Sequence, residues 1–329
     1  MKKILVTGAT GFLGSNLIQA LIKKEEGQIV GMKRANSPMK LVESFRDQVE
    51  WIEGDVLDIS SLDTAFNGVD EVYHTAAVIS YHPALKAKMQ QVNVEGTANV
   101  VDACLEKKVK KLLHVSSIAA IGREIGQDVT SEKNKWSISN ATSEYGKTKH
   151  EAELEIFRGI AEGLHANIIN PSMIIGPGYW ENGTCRFFPR VYQGQKLYPV
   201  GGTGFVDVKD VAELCIRLMH KDDSGKRVIA NAVNLSFHDF FQLLAEKLGV
   251  NGPTIKVNNF AANFAWRFEA VRSKLFNVVP FLTQETAAAS MKSSKFDNSL
   301  SLNYLDMDYR SIDHTIQRTA EVFLSTQTK

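Results

Sequence analysis

Ile4-Leu5-Val6-Thr7-Gly8-Ala9-Thr10-Gly11-Phe12-Leu13-Gly14 is the stretch that decides the fold. The apolar run Ile4–Val6 reads as a buried strand, and Leu13–Lys23 continues at helical spacing. Between them the glycines stand at 8, 11 and 14, a G-x-x-G-x-x-G pattern rather than the more familiar G-x-G-x-x-G. The physical demands are similar: a tight turn at Gly8, backbone approach to a pyrophosphate at Gly11, and close helix–strand contact at Gly14. The helix that follows offers unpaired N–H groups and its positive dipole end to phosphates. A glycine loop alone is weak. At the head of a strand–helix series it points to a dinucleotide, with Thr7, Thr10, Phe12 and Leu13 completing the cradle.

The chain beyond the loop supports this. Ile29–Met32, Val49–Ile52, Glu71–His74, Leu112–Val115 and Asn167–Ile169 read as further buried strands, and Val228–Ala230 as one more. Ser61–Phe66, Val92–Glu106 and Ser143–Glu162 read as the intervening helices. Such alternation predicts an α/β fold, a doubly wound parallel sheet of the Rossmann type. After Pro171 the rhythm changes. Residues 176–205 read as irregular loop, Val208–His220 as a helix, and Ser236 with Asp239 as the start of another that Gly249 closes. A final helix is expected over Ser311–Phe323. The expected organisation is a dinucleotide-binding core over residues 1–170, with 205–235 returning to it. Residues 171–204 and 236–329 would form a smaller C-terminal substrate-binding lobe.

The end of the second strand chooses the dinucleotide. An acidic residue there would bind a ribose 2′-hydroxyl, whereas arginine accommodates a 2′-phosphate. Here Ile29-Val30-Gly31-Met32 runs into Lys33-Arg34, and the next acid is Glu43. Both cations can make charge-assisted hydrogen bonds to phosphate, so NADP(H) is expected over NAD(H). After strand three, Asp55 is placed to accept from an adenine amino group and Val56 to lie against the ring. After strand four, the small Ala76 and Ala77 leave room for a ribose.

Tyr145 and Lys149 are four residues apart, hence on one helix face, and an ammonium beside a phenol stabilises tyrosinate. Ser117 ends the run Leu112–Val115 at the carboxyl edge of strand five, where such sheets bind substrates. Y-x-x-x-K alone is nearly worthless; in order with the glycine loop and the serine it becomes specific. The trio suits hydride transfer, with a hydroxyl holding a carbonyl and the tyrosine exchanging the proton.

With these residues on the page, the chain resembles the extended short-chain dehydrogenase/reductase superfamily (the NAD-dependent epimerase/dehydratase superfamily). The match is carried by Thr7–Gly14, Gly54-Asp55, His74-Thr75-Ala76-Ala77, Asn93-Val94-Glu95-Gly96-Thr97, Val115-Ser116-Ser117, Tyr145-x-x-x-Lys149 and Asn170-Pro171-Ser172. Gly176-Pro177-Gly178 and Phe205–Ala212 extend it to about residue 250. Within that superfamily the chain is most similar to the dihydroflavonol 4-reductase and 3β-hydroxysteroid dehydrogenase group. The resemblance implies a catalytic Ser117, Tyr145 and Lys149, with Ser117 chosen over Ser116 by counting back from Gly122. It further implies that Asn93 supports the active site and that Pro171 and Ser172 border the cofactor.

Other features set bounds. Lys and Arg number 38 against 37 Asp and Glu, a formal charge of +1, so no nucleic-acid partner is expected. The three cysteines, Cys104, Cys185 and Cys215, form no framework and no metal pattern. No run is long enough for a membrane span, and a cytoplasmic enzyme is the expectation. His74 and His114 read as core histidines, and Asp207 and Asp210 as helix-end residues rather than catalysts. Trp180, Phe187, Phe188, Tyr192, Phe264, Trp266 and Phe268 fit an apolar pocket and ordinary packing equally. Three functions are open: carbonyl reduction (or alcohol oxidation) on a moderately apolar small molecule, a nucleotide-sugar epimerase or dehydratase, and a non-enzymatic NADP sensor. The tyrosine–lysine pair argues against the last. The helices at 92–106 and 143–162 could make a dimer contact, leaving monomer or homodimer open.

Overall fold

The computed structural model describes residues 1–122, 127–137, 143–258, 266, 267, 269, 272 and 283–327. Phe264 and Phe268 lie outside them. Seven strands make the main sheet: β1 (Lys3–Thr7), β2 (Gln28–Lys33), β3 (Glu50–Glu53), β4 (Glu71–His74), β5 (Lys111–Val115), β6 (Ala166–Pro171) and β7 (Arg227–Ala230). Their spatial order is β7-β6-β5-β4-β1-β2-β3, and every pairing is parallel. The order reverses between β1 and β4, so the carboxyl ends of those two strands open a crevice. Except for the edge strand β3, whose residues are half-buried or exposed, these strands are largely buried on both faces, which is why they read as continuous apolar runs rather than alternating ones.

Helices cover the two faces. On one side lie α1 (Phe12–Lys23) and α5 (Val208–Met219); on the other lie α2 (Ile59–Ala65), α3 (Gly96–Glu106) and α4 (Glu144–Ala161). The helix read as starting at Val92 is in fact two pieces, a π-helical turn over Gln90–Glu95 followed by α3. The π turn widens the helix at Asn93, a deviation that often accompanies function.

The C-terminal part is more ordered than its glycine and proline content suggests. Met173–Ile175, Gly202–Asp207 and Val233–Ser236 form a three-stranded sheet, and Phe187–Tyr192 is a helix where irregular loop is expected. Strands of three or four residues are too short to declare a period. α6 (Phe237–Leu248) starts on Ser236, whose Oγ accepts from Asp239 N at 3.0 Å, and ends at Gly249 with φ 68°. α7 (Ile312–Gln327) packs on α6 through Ile316, Ala320 and Phe323.

Two buried aspartates pin α7 to the core. Asp207 caps α5 by accepting from Lys209 N at 2.7 Å, and its carboxylate also takes Thr315 Oγ1 at 2.8 Å and Arg318 at 2.7 and 2.9 Å. Asp210 accepts from the Arg310 backbone N at 2.9 Å and pairs with the Arg310 guanidinium. Their role is structural, as their helix-end positions predict. Of the aromatic residues weighed for a pocket, Phe188 is fully buried, and Trp180 and Tyr192 pack on Phe188 and Phe323. Phe187 meets Phe240 and Phe241 edge-on, so Phe188 is core, Trp180 and Phe187 pack against it half-buried, and Tyr192 stays exposed.

Candidate active site

The glycine loop leaves β1 as a hairpin of backbone. Gly11 N donates to Gly8 O at 2.9 Å, and Gly8 sits at φ 68°, where a Cβ would lie 2.7 Å from Ala76 N. Ala76 and Ala77 therefore flank the loop directly, with Ala76 N 3.4 Å from Thr7 Oγ1. Gly11 is the N-cap of α1 and supplies no side-chain cap, so the first N–H groups of a twelve-residue helix are left for another acceptor. Thr10, Phe12 and Leu13 complete the loop, and Phe12 carries its ring against Gly176 and Gly178. Pro171 ends β6, and Ser172 donates its backbone N to Ala230 O at 2.9 Å while its buried Oγ meets no partner.

At the far end of the crevice lies a cavity of about 500 Å³ lined by Arg34, Ala35, Asn36, Glu53, Gly54, Asp55, Asp58 and Ser61. Arg34 faces it, whereas Lys33 is the last residue of β2, its carbonyl accepting from Gly54 N at 2.9 Å. Asp55 holds a turn by accepting from Leu57 N at 3.0 Å and also lines the cavity. Val56 is buried, packed on Gly96 of α3. Asn36 went unnoticed in the sequence; only its place beside Arg34 marks it. An uncapped helix N-terminus at one end and a guanidinium-lined cavity at the other fit a dinucleotide.

On the other side of the glycine loop from that cavity, beyond β4 at the end of β5, lies the trio. Ser117 follows β5 and caps the short turn Ile118–Ala120, its Oγ accepting from Ala119 N at 3.1 Å. Gly146 lets the Ala119 carbonyl approach α4, which brings Ser117 to Tyr145. Tyr81 stands edge-on to Tyr145 with ring centroids 5.9 Å apart. Burial pushes the Tyr145 phenol well above its ordinary value, Tyr81 adds to that, and the nearby Ser117 hydroxyl opposes it. This differs from the expectation that lysine lowers it. The Lys149 ammonium is committed to Val115 O at 2.7 Å and His114 Nε2 at 3.2 Å. Burial lowers the Lys149 pKa to about 8, against the pull of Glu153 one turn along α4.

Two further groups hold this geometry. Asn93 grips the loop after β4, its Oδ1 accepting from Val78 N at 2.8 Å and its Nδ2 donating to Val78 O at 3.0 Å and Thr148 Oγ1 at 3.1 Å. It thus ties the Tyr81 loop to α4 and faces neither Tyr145 nor Lys149 by a hydrogen bond of its own. The fully buried Glu153 accepts from Asn170 Nδ2 at 2.6 Å and pairs with Arg227 at 3.2 Å, and Asn170 also donates to Ser117 O at 2.9 Å. This link joins α4, β6, β7 and the serine turn and left no local signal in the sequence. Cys185 is buried, its Sγ on Gly176 O. Among the described residues no His, Cys, Asp and Glu group could hold a metal, and no helix is long and apolar enough to cross a membrane.

This crevice, with its loop and trio, is that of an NAD(P)-dependent oxidoreductase. The chain belongs to the NAD dependent epimerase/dehydratase family, whose model matches residues 4–234, and so to the extended short-chain dehydrogenase/reductases. It is 27% identical to a putative dihydroflavonol 4-reductase of Synechocystis over 94% of this chain and 91% of that one. It is 28% identical to sterol demethylase protein B of Methylococcus capsulatus over 77% of this chain and 76% of that one. Cinnamoyl-CoA reductase 1 of Petunia hybrida is also 28% identical, over 74% and 76% of the two chains. The crystal structure of gox2253 superposes with a TM-score of 0.84 at 26% identity, covering 99% of each chain.

Proposed function

We propose that this enzyme reduces a carbonyl group of a moderately apolar small molecule, preferring NADPH, with Ser117, Tyr145 and Lys149 as its catalytic residues. The observation that carries the reading is Tyr145, a buried phenol that keeps its proton, on one helix face with Lys149 and near Ser117 at the carboxyl edge of β5. A bound reduced nicotinamide would contribute hydride. Thr7, Gly8, Thr10, Gly11, Phe12, Leu13, Gly14, Ala76, Ala77, Pro171 and Ser172 would hold the pyrophosphate and ribose side of that cofactor. Arg34 and Asp55 would meet the adenosine end, Arg34 reaching the 2′-phosphate, with Lys33 and Val56 contributing from the strand ends. Ser117 orients the carbonyl oxygen, and Tyr145 donates to it the proton that neutralises the developing alkoxide. Lys149 keeps positive charge one turn of α4 from the tyrosine, and Asn93 holds the loop that walls the site. Residues 171–204 and 236–329 form the substrate-binding lobe over a core of 1–170 and 205–235.

The reductases among its relatives favour reduction over epimerisation. The test is stoichiometry. Purified enzyme is incubated with NADPH and a panel of dihydroflavonols, aryl-CoA thioesters and keto-steroids, following absorbance at 340 nm and product by mass spectrometry. One NADPH oxidised per alcohol formed from a ketone, or per aldehyde and free CoA formed from a thioester, supports the reading. Conversion of a nucleotide sugar with no net NADPH loss would replace it with epimerisation.

A further inference from the structure

We propose that His114 is a positioning residue for Lys149: its imidazole accepts a hydrogen bond from the ammonium and, with the Val115 carbonyl, fixes where that charge lies at the carboxyl end of β5, one turn of α4 from Tyr145. The inference rests on the catalytic reading of Lys149 given above.

The first argument is cost. His114 sits mid-strand between Leu113 and Val115, is 0% exposed, and its Nδ1 meets no partner. An apolar side chain of similar volume would avoid the penalty of leaving a buried donor unpaired. Packing therefore does not account for an imidazole here. What the ring gains is a polar contact, 3.2 Å from Nε2 to Lys149 Nζ.

The second argument is the direction of that bond. An ammonium has three donors and no acceptor, so Nε2 must be unprotonated and the ring proton must sit on Nδ1. Burial and the Lys149 charge both hold the imidazole neutral, far below the ordinary histidine range. Two of the three ammonium N–H groups are then committed, to Val115 O and to His114, which restricts Nζ far more than one bond would. The same contact favours the charged lysine, acting with Glu153 against burial.

The third argument separates positioning from proton relay. The ring of His74 lies 5.1 Å from that of His114, but its Nδ1 engages Thr7 Oγ1 at 2.7 Å and its Nε2 engages Thr97 Oγ1 at 3.0 Å. Nδ1 of His114 has nothing to pass a proton to. The groups facing the pair are Tyr145 and Glu153 on α4 and the neutral His74 on β4, so His114 serves as a fixed acceptor.

His114→Leu removes the acceptor and keeps the site apolar; His114→Gln returns an amide oxygen at a similar reach. With a substrate from the panel, His114→Leu should lower kcat about tenfold at pH 7.5. It should also move the alkaline limb of the kcat profile about one unit towards acid, leaving KM within about twofold. His114→Gln should recover most of both. Wild-type kcat and limb in His114→Leu, or no recovery in a His114→Gln protein that melts like wild type, would overturn the inference. Should His114→Leu not fold, His114→Asn, too short to reach Nζ, takes its place with the same expectation. A readout free of turnover comes from ¹⁵N-histidine-labelled protein, in which the His114 Nε2 resonance should be that of an unprotonated nitrogen and should shift in Lys149→Met. If it does not respond, positioning fails even where Tyr145→Phe is inactive. If it responds while Tyr145→Phe turns over normally, the catalytic reading fails and the His114–Lys149 contact stands.

Discussion

Gly11 and Gly14 lie three residues apart in one loop, yet the structure assigns them different penalties for the same added methyl group. A Cβ on Gly14 would lie 2.9 Å from the carbonyl carbon of Gly8 and 3.1 Å from Ala9 Cα, with the Gly8 oxygen nearer still. All three are backbone atoms of the β1 turn, so α1 itself must move. Forcing a group into a packed site costs roughly 1–3 kcal/mol, and a backbone obstacle belongs at the upper end. Alanine in place of a helical glycine returns about 1 kcal/mol. The net loss is about 2 kcal/mol. With an unfolding entropy of about 2.1 cal/mol/K per residue, a chain of 329 residues loses about 1.4 °C per kcal/mol, or about 3 °C in Tm. A Cβ on Gly11 would meet only Gly8 O, at 3.1 Å, and Gly11 has φ −76° and ψ 174°, a conformation open to any residue. Gly11→Ala should therefore melt within about 1 °C of wild type while losing tenfold or more in NADPH affinity, because its methyl occupies the approach to the pyrophosphate. Calorimetric melting and NADPH titration of both variants test this. A Gly14→Ala protein with wild-type Tm would show that helix and strand are not in close contact. Unchanged affinity in Gly11→Ala would reduce the loop to a structural turn.

Four further outcomes are expected. Tyr145→Phe should cut turnover about 10²–10⁴-fold with NADPH affinity within about twofold, checked by steady-state kinetics and calorimetry. Arg34→Ala should weaken NADPH binding by one to two decades, the worth of a hydrogen bond to a charged group at roughly 1.5–3 kcal/mol, and leave NADH unchanged; equal loss of both cofactors would defeat the 2′-phosphate assignment. His74 has a folded pKa of about 3 against 6.5 unfolded, lowered first by burial and then by Lys149. Below pH 6.5 the unfolded chain takes the proton and the folded one does not, so stability falls as pH drops from 6.5 towards 3; a His74→Asn protein should show a flatter dependence of its urea midpoint, and parallel curves would refute it. Asp207→Ala leaves Arg318 and Thr315 without their shared acceptor and should cost about 3–5 kcal/mol by denaturant titration.

How much of this was legible in the sequence follows from the range of each interaction. The glycine loop, the seven long strands and the Ser236–Gly249 helix announce themselves through neighbours within a few residues, and their bounds differ little in the structure. The trio is legible because Tyr145 and Lys149 share one helix and Ser117 ends a strand. What joins them is not: His114 to Lys149 spans 35 residues and Glu153 to Arg227 spans 74. The same holds for Trp180 and Phe188, whose burial depends on α7, more than a hundred residues on. The three-stranded sheet escaped because its strands come from far-apart positions, 173, 202 and 233, two of them only three and four residues long and the third opening on Gly202-Thr203-Gly204.

The electrostatics of the trio argue for a direction. Burial raises Tyr145 and lowers Lys149, so each drifts towards its neutral form, and the lysine loses its proton well before the tyrosine does. On the proposed reading, reduction needs Tyr145 to begin protonated, and the site holds it so across the whole neutral range. Oxidation needs a tyrosinate base, which this environment opposes through burial and Tyr81, with only the nearby Ser117 hydroxyl in its favour. An oxidised nicotinamide would bring a positive charge that offsets part of that opposition; a reduced one brings none and needs none. The chain's own groups therefore prepare the ground state of the reductive direction. Lys149 then matters less as the charge that ionises the tyrosine in the resting enzyme than as one that stabilises it once the proton has left. This also accounts for an ammonium held by Val115 and His114: a charge fixed in place before the proton moves costs no reorganisation when it does.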